Sequence, residues 1–338
     1  MYTRSGDHVS VTPFSQGRFE DLPTLPRVPH CYQDTEQLEV RVRSKNFGHM
    51  TAHVRTYGSG PPLLLIHGFM TTSYSWRYAF AHLGKHYTCY APDLPGAGRS
   101  GKPLNPSYEP AEFATWLGEL QRELGIYGCK TVGNSMGGYL GMHLALAEPK
   151  AMSKLVVLHA PGIPELRLEA ARQVFKLPGT ERLFHWLVRR APLRWAHKNV
   201  HYYDESLKSL EEAHEYGDPL DSYVGAQAFL KHLRETMGIG PMKRFVAQLE
   251  NSRGTSFPVP LLLMYARQDP MVSPKIGTKL HELIPSAQFQ WLEHASHFAH
   301  VDSAEQFSQG ALAFLDAPSD PGNTIQEDPP GFPVLPRE

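Results

Sequence analysis

The sequence has little cysteine: Cys31, Cys89 and Cys129 are the three in 338 residues, scattered and without a CxxC pair. An odd, dispersed set excludes a disulfide framework and a zinc knuckle as the basis of the fold. It points to a reducing compartment. Long apolar runs are also missing. The longest, Leu63 to Ile66 with its flanks, falls far below the ~18–20 residues a spanning helix needs. Residues Met1 to Glu20 are polar and broken by Pro13, with no apolar stretch of the signal-peptide kind. The expectation is a cytoplasmic chain with no integral membrane segment. Neither sign of charge is in excess: 33 Lys and Arg face 34 Asp and Glu, a net charge of −1. No long block of one sign stands out, so electrostatics gives no reason to expect nucleic acid or an anionic membrane surface as a partner. No internal repeat is visible. What remains is an ordinary globular composition on a chain long enough to bury a sizeable core.

Two ends differ from the middle. Residues 1–36 are rich in Pro, Ser and charge and show no sustained period; they read as an extension, loose or lying along the surface. Residues 317–338 contain six prolines and cannot hold a helix or a central strand, which makes them a tail. Between them short apolar strands alternate with helices. Leu38–Arg43 and His49–Tyr57 read as a hairpin joined near Gly48. Strands follow at Leu63–Ile66, Tyr87–Ala91, Lys130–Asn134, Leu155–Leu158, Leu261–Tyr265 and Gln288–Leu292. Helices are expected at Tyr74–Leu83, Pro110–Leu124, Met136–Ala147, Pro274–Leu283 and Ala304–Leu315. This alternation predicts an α/β fold with a mostly parallel sheet covered on both faces. The core is expected over 37–160 and 254–316. Residues 161–253 show no strand pattern but helix-like pieces at Glu165–Lys176, Glu181–Arg190, Asp204–Tyr216, Leu220–Thr236 and Pro241–Leu249. They read as a helical cap over the carboxyl edge of the sheet.

The chemistry centres on Gly133-Asn134-Ser135-Met136-Gly137, a G-x-S-x-G pentapeptide between a strand and a helix. A nucleophile on so sharp a turn has a strained backbone, and side chains two residues either side would collide, so both positions must be small. Serine is a weak nucleophile at neutral pH and needs a base, which needs an orienting acid. The expected order is Ser, acid, His. Asp269 follows the strand Leu261–Tyr265, and His297 follows the last strand; both fall just past a strand's carboxyl end, where open α/β sheets place their sites. Asp93, in the turn Asp93-Leu94-Pro95-Gly96-Ala97-Gly98, precedes Ser135 and suits a structural role. His294 and His300 flank His297, but the middle of the loop is the better place for a base. His67-Gly68-Phe69 follows the strand Leu63–Ile66. Backbone N–H groups of Phe69 and Met136 are the expected oxyanion donors, with His67 structural. The 18 histidines include His197 and His201 at i, i+4, but no third ligand or supporting shell accompanies them, so no metal and no cofactor is expected. The cap aromatics, among them Trp186, Trp195, Tyr223 and Phe229, suit an apolar substrate pocket or a small cap core equally well.

These elements together resemble the α/β-hydrolase superfamily, over about Arg43 to Leu315. The segment from His67 to Arg77 looks like the corresponding loop of epoxide hydrolases and haloalkane dehalogenases, which carry an aspartate nucleophile where this chain has Ser135. Gly-Asn-Ser-Met-Gly-Gly at 133–138 looks more like serine esterases and carbon–carbon bond hydrolases of the meta-cleavage-product type. Ser296 stands where those groups more usually carry glycine. The resemblance implies acyl transfer through Ser135, His297 and Asp269, on an ester, lactone or thioester of a small, largely apolar molecule. A carbon–carbon bond hydrolase on the same triad is the alternative. A hydrolase-like small-molecule receptor with slow turnover is a third reading, from another class.

Overall fold

The computed structural model of the chain describes residues 12–165, 179–252 and 254–318. Eight strands form one sheet in the order β1-β2-β4-β3-β5-β6-β7-β8. β1 (Glu36–Ser44) and β2 (Gly48–Tyr57) are the expected antiparallel hairpin. β4 (Thr88–Pro92) pairs antiparallel with β2. The remaining pairings are parallel and involve β3 (Pro62–Ile66), β5 (Lys130–Asn134), β6 (Leu155–Leu158), β7 (Leu261–Ala266) and β8 (Gln288–Leu292). Strands β6 and β7 are buried at every residue, which is why they read as unbroken apolar runs rather than alternations.

The alternation of side chains along β3 sends Leu64 and Ile66 into one core and Leu63 and Leu65 into the other. On the first face lie α2 (Pro110–Glu123), α3 (Met136–Ala147) and α9 (Pro274–Leu283), represented by Phe113, Leu140 and Leu280. The second face is covered by α1 (Ala79–Leu83) and α11 (Ala304–Asp316), through Phe80 and Phe307. A short α10 (Ala299–Asp302) precedes α11.

The helix expected over Tyr74–Leu83 is instead a 3₁₀ turn, Ser73–Trp76, followed by the short α1. Side chains compete for the backbone there: Thr72 accepts from the Tyr74 N–H and Asp93 accepts from the Ser73 N–H.

Between β6 and β7 the described residues contain helices and no strand. They are α4 (Thr180–Arg190), α5 (Pro192–Asn199), α6 (Leu210–Asp221), α7 (Tyr223–Lys231) and α8 (Ile239–Asn251). The helical piece expected over Glu165–Lys176 falls outside the described residues from 166 onward, as does the tail from 319. Helix α5 was not foreseen; Pro192 starts it from the first helical position, where the missing N–H costs nothing. The pieces expected at 204–216 and 220–236 are redivided. Ser209 caps α6 by accepting from the Glu212 N–H, and Ser222 caps α7 by accepting from the Gly225 N–H. The junction therefore falls at Ser222, and Leu220 belongs to α6.

A buried ion pair joins this insert to the core. Arg77, fully buried after the 3₁₀ turn, donates to Glu212 of α6; the Tyr202 hydroxyl donates to the same carboxylate. The guanidinium also lies 4.5 Å from the Tyr74 ring centroid and 4.9 Å from that of Tyr78. Residues 12–35, expected to be loose or to lie on the surface, run across the insert. The Gln16 side chain donates to the His197 carbonyl, and Pro23 and Thr24 accept from the N–H groups of Leu210 and Glu211. Tyr78 then donates to Val28, and Tyr32 shares a hydrogen bond with Ser73. The extension is a strap that bridges the insert and the core.

Two expectations follow. Glu212→Ala leaves a buried guanidinium uncompensated and should lower stability by about 3–5 kcal/mol in urea denaturation. Asp302 accepts from the Ser296 and Tyr203 N–H groups, and burial pushes its carboxyl up to about 7 against the lowering effect of those bonds. The unfolded chain ionises Asp302 at its ordinary, lower value, so this group withdraws stability as pH rises between the two values. Asp302→Asn should therefore gain stability relative to the wild type at about pH 8 compared with about pH 5, read from urea midpoints at both.

Candidate active site

Strand register brings the chemistry together. Ile66 of β3 is paired with Gly133 of β5, so continuing each strand two residues sets Gly68 opposite Ser135. A Cβ on Gly68 would lie 2.8 Å from Asn134 Oδ1 and 3.1 Å from the Ser135 Cβ, which is why only glycine fits. Ser135 has φ 52° and ψ −121°, a backbone that L-residues rarely adopt. Its N–H donates to Leu158 O at 2.7 Å. The flanking glycines are required as read: a Cβ on Gly133 would lie 2.5 Å from the Gly137 backbone, and one on Gly137 2.2 Å from Ile66 O. Met136 begins α3, so its N–H belongs to the helix N-terminus and is free of an i−4 partner.

Asp269 and His297 are brought together. His297 Nδ1 lies 2.7 Å from Asp269 Oδ2, and both residues are buried. Asp269 Oδ1 accepts from the N–H groups of Met271 and Val272, at 2.7 and 2.9 Å. Burial alone would raise this carboxyl, but the facing His297 and the hydrogen bonds outweigh it and hold the value below the ordinary one. An ionised Asp269 accepts the Nδ1 proton, which leaves Nε2 of His297 with its lone pair. Ser135 Oγ has no hydrogen bond to His297 among the described residues. The two loops are joined instead by Asn134, whose amide donates to His297 O at 3.1 Å.

The rivals take other roles. His294 is exposed. His300 is fully buried against the Trp76 ring, 4.4 Å between centroids, with neither ring nitrogen hydrogen-bonded. Asp93 accepts from the N–H groups of Ser73 and Arg99, both at 2.8 Å, and braces its turn. His67 accepts from the Leu94 N–H at Nε2 and hence donates from Nδ1 to Gly68 O, the structural role expected of it.

Sequence reasoning passed over two residues. Asn134 is one; the motif treats its position as free. The other is His159, at the carboxyl end of β6, with φ 52° and full burial. Its Nε2 accepts from the Ala266 N–H at 2.7 Å, and its ring centroid is 5.5 Å from that of His297. Burial drives its pKa down to about 3, so it stays neutral beside the acid–base pair. Its sequence signal was a polar residue closing the otherwise apolar run Leu155–Leu158. His159, Asp269 and His297 offer potential metal-ligand atoms within 4.8 Å of one another. Two hydrogen bonds already run within and beside this set: Asp269 Oδ2 accepts from His297 Nδ1, and His159 Nε2 accepts from the Ala266 N–H.

A pocket opens beside Met136. The core lines it with Gly68, Phe69 and the Gly96–Gly98 turn; the insert contributes Tyr216, Leu220 and Phe229. Phe69 stacks on Phe229 with centroids 4.8 Å apart, and Phe184 of α4 packs behind it. The wall over the expected oxyanion donors is therefore largely apolar. No described helix is long and apolar enough to cross a membrane.

Comparison with known proteins agrees with this architecture. The family described as the alpha/beta hydrolase fold matches residues 61–304. A pimeloyl-[acyl-carrier protein] methyl ester esterase of Vibrio vulnificus is 27% identical over 78% of this chain and 97% of its own. A 2-hydroxy-6-oxo-6-(2'-aminophenyl)hexa-2,4-dienoic acid hydrolase of Metapseudomonas resinovorans is 23% identical over 82% of this chain and 92% of its own. The solved haloalkane dehalogenase of Agrobacterium tumefaciens superposes with a TM-score of 0.67 at 19% identity, covering 85% of this chain and 99% of that one; it shares the fold, and fold alone does not set the chemistry. The strand order, the strained turn at Ser135 and the match over residues 61–304 lead to one conclusion: the chain belongs to the α/β-hydrolase fold family.

Proposed function

We propose that the chain is a serine hydrolase acting on carboxylic esters, or on lactones or thioesters, of small and largely apolar molecules. The observation that carries this reading is the Asp269–His297 pair, joined through Asn134 to a serine on a strained strand-to-helix turn. His297 Nε2 takes the proton of Ser135 as Oγ attacks the carbonyl carbon, and Asp269 holds the imidazole in the required tautomer. The N–H groups of Phe69 and Met136 stabilise the oxyanion. The intermediate collapses with loss of the alcohol, which takes the proton from His297. Water, activated by the same imidazole, then releases the acid. The apolar wall of Phe69, Leu220 and Phe229 favours an apolar acyl or alcohol group.

The name of the Metapseudomonas relative favours a second reading, cleavage of a carbon–carbon bond beside a ketone on the same residues. One experiment separates the two. Treatment with a fluorophosphonate should label Ser135, and short aryl esters should be turned over by the wild type and not by Ser135→Ala. Asp269→Asn should lower kcat by about 10³–10⁴ while leaving the fold intact. Absence of an adduct on Ser135 overturns the nucleophile assignment. An adduct with negligible turnover of every ester tested overturns the ester reading in favour of the second.

A further inference from the structure

Helix α4 carries one broad apolar arc, of which only part is buried. Phe184 and Val188 face inward and pack with Leu220, Phe229 and the Phe69–Met70 loop that walls the pocket. Leu183, Trp186 and Leu187 recur at i, i+3 and i+4 on the rest of the arc and point to solvent, with Trp186 52% and Leu183 56% exposed. Tyr223 and Val224, at the start of α7, are exposed as well. The Tyr223 ring lies 5.0 Å from that of His185, on the side of α4 that turns toward α7 and away from Leu183, Trp186 and Leu187. A surface helix normally buries one stripe and solvates the other. Here the apolar arc runs past the buried part into solvent, and Trp186 is the one exposed tryptophan among the described residues.

Charge is also concentrated here. The chain as a whole is close to neutral, yet residues 180–199 carry Arg182, Arg189, Arg190, Arg194 and Lys198 against the single acid Glu181. Arg182, Arg189 and Arg190 are exposed beside the apolar stripe, and Arg190 lies over the Trp186 ring at 5.0 Å. Arg189 donates to a main-chain carbonyl, that of Asp221, which leaves its charge in place. Asp218 and Asp221 on α6 offset part of this field, and Arg194 is paired with Glu20. Aromatic and aliphatic side chains ringed by arginine suit the interface of an anionic bilayer: the apolar groups enter the acyl boundary and the guanidinium groups meet lipid phosphates.

We propose that the exposed apolar face of α4 docks on the surface of an anionic lipid bilayer. The surface is defined without reference to Ser135, so it stands apart from the proposed chemistry.

The test is flotation of the purified full chain with vesicles of phosphatidylcholine alone and of phosphatidylcholine mixed with phosphatidylglycerol. The wild type should float with the mixed vesicles, and its tryptophan emission should shift to the blue. Trp186→Ser with Leu187→Ser should weaken partition at least about tenfold. Arg182→Gln and Arg190→Gln should each weaken it about fivefold on anionic vesicles and flatten its salt dependence. Circular dichroism and wild-type rates on a soluble aryl ester would show that these variants are folded. Ser135→Ala should float like the wild type, so failed ester turnover and failed docking are read separately. A wild type that stays with the soluble fraction overturns the proposal, as does a Trp186→Ser, Leu187→Ser variant that floats undiminished. A dimer in sedimentation that the same double variant dissociates, with no vesicle binding, overturns it in favour of a second copy of this chain.

Discussion

The site rests on the turn at Ser135. A serine held at φ 52° and ψ −121° cannot keep that backbone unless its surroundings leave no alternative. They do so by close approach. Gly137 lies against the end of β3, Gly68 against Ser135, and the Ser135 N–H is fixed to β6 through Leu158. Three adjacent parallel strands thus meet at one residue. The same carboxyl edge carries Phe69 on one side and His159, Asp269 and His297 on the other.

The insert depends on a different kind of contact. Its helices are individually short; the Arg77–Glu212 pair with the tyrosines around it ties α6 to the core, while α8 packs Met242, Phe245 and Leu249 into the core itself. Such a pair contributes little net stability over an apolar equivalent, because desolvation opposes the attraction. Its value is directional: a buried charge tolerates one partner geometry. The strap of residues 12–35 reinforces the same placement by hydrogen bonds to α5 and α6. The pocket wall at Leu220 and Phe229 is held in register with Phe69 as a result.

Much of this was legible in the chain itself. The apolar strands were found to within a residue or two, since burial on both faces leaves an unbroken run. The G-x-S-x-G turn and its flanking strand and helix were found because their constraint is local. Asp269 and His297 were reached by chain order, and they meet across 28 residues. Other features were hidden. Asn134 reaches His297 across 163 residues and Arg77 reaches Glu212 across 135, and no pattern within either segment marks such a partner. The breaks at Thr72 and Ser222 were missed because a side chain took a backbone N–H that periodicity assigns to a helix. Net charge concealed the arginines of α4 for a different reason: it averages over the whole chain, while the cluster lies within residues 180–199.

The sequence by itself determined the sheet, the family and the candidate nucleophile. Each of these follows from constraints that act within a few residues: side-chain period, glycine at points of close approach, and serine on a sharp turn. Tertiary structure alone decided that Asn134 ties its loop to His297, which histidines are sealed away, and which part of α4 is left to solvent. Those outcomes depend on hydrogen bonds, burial and charge pairing between segments remote in the chain, and such energies exist only after the sheet has brought the segments together.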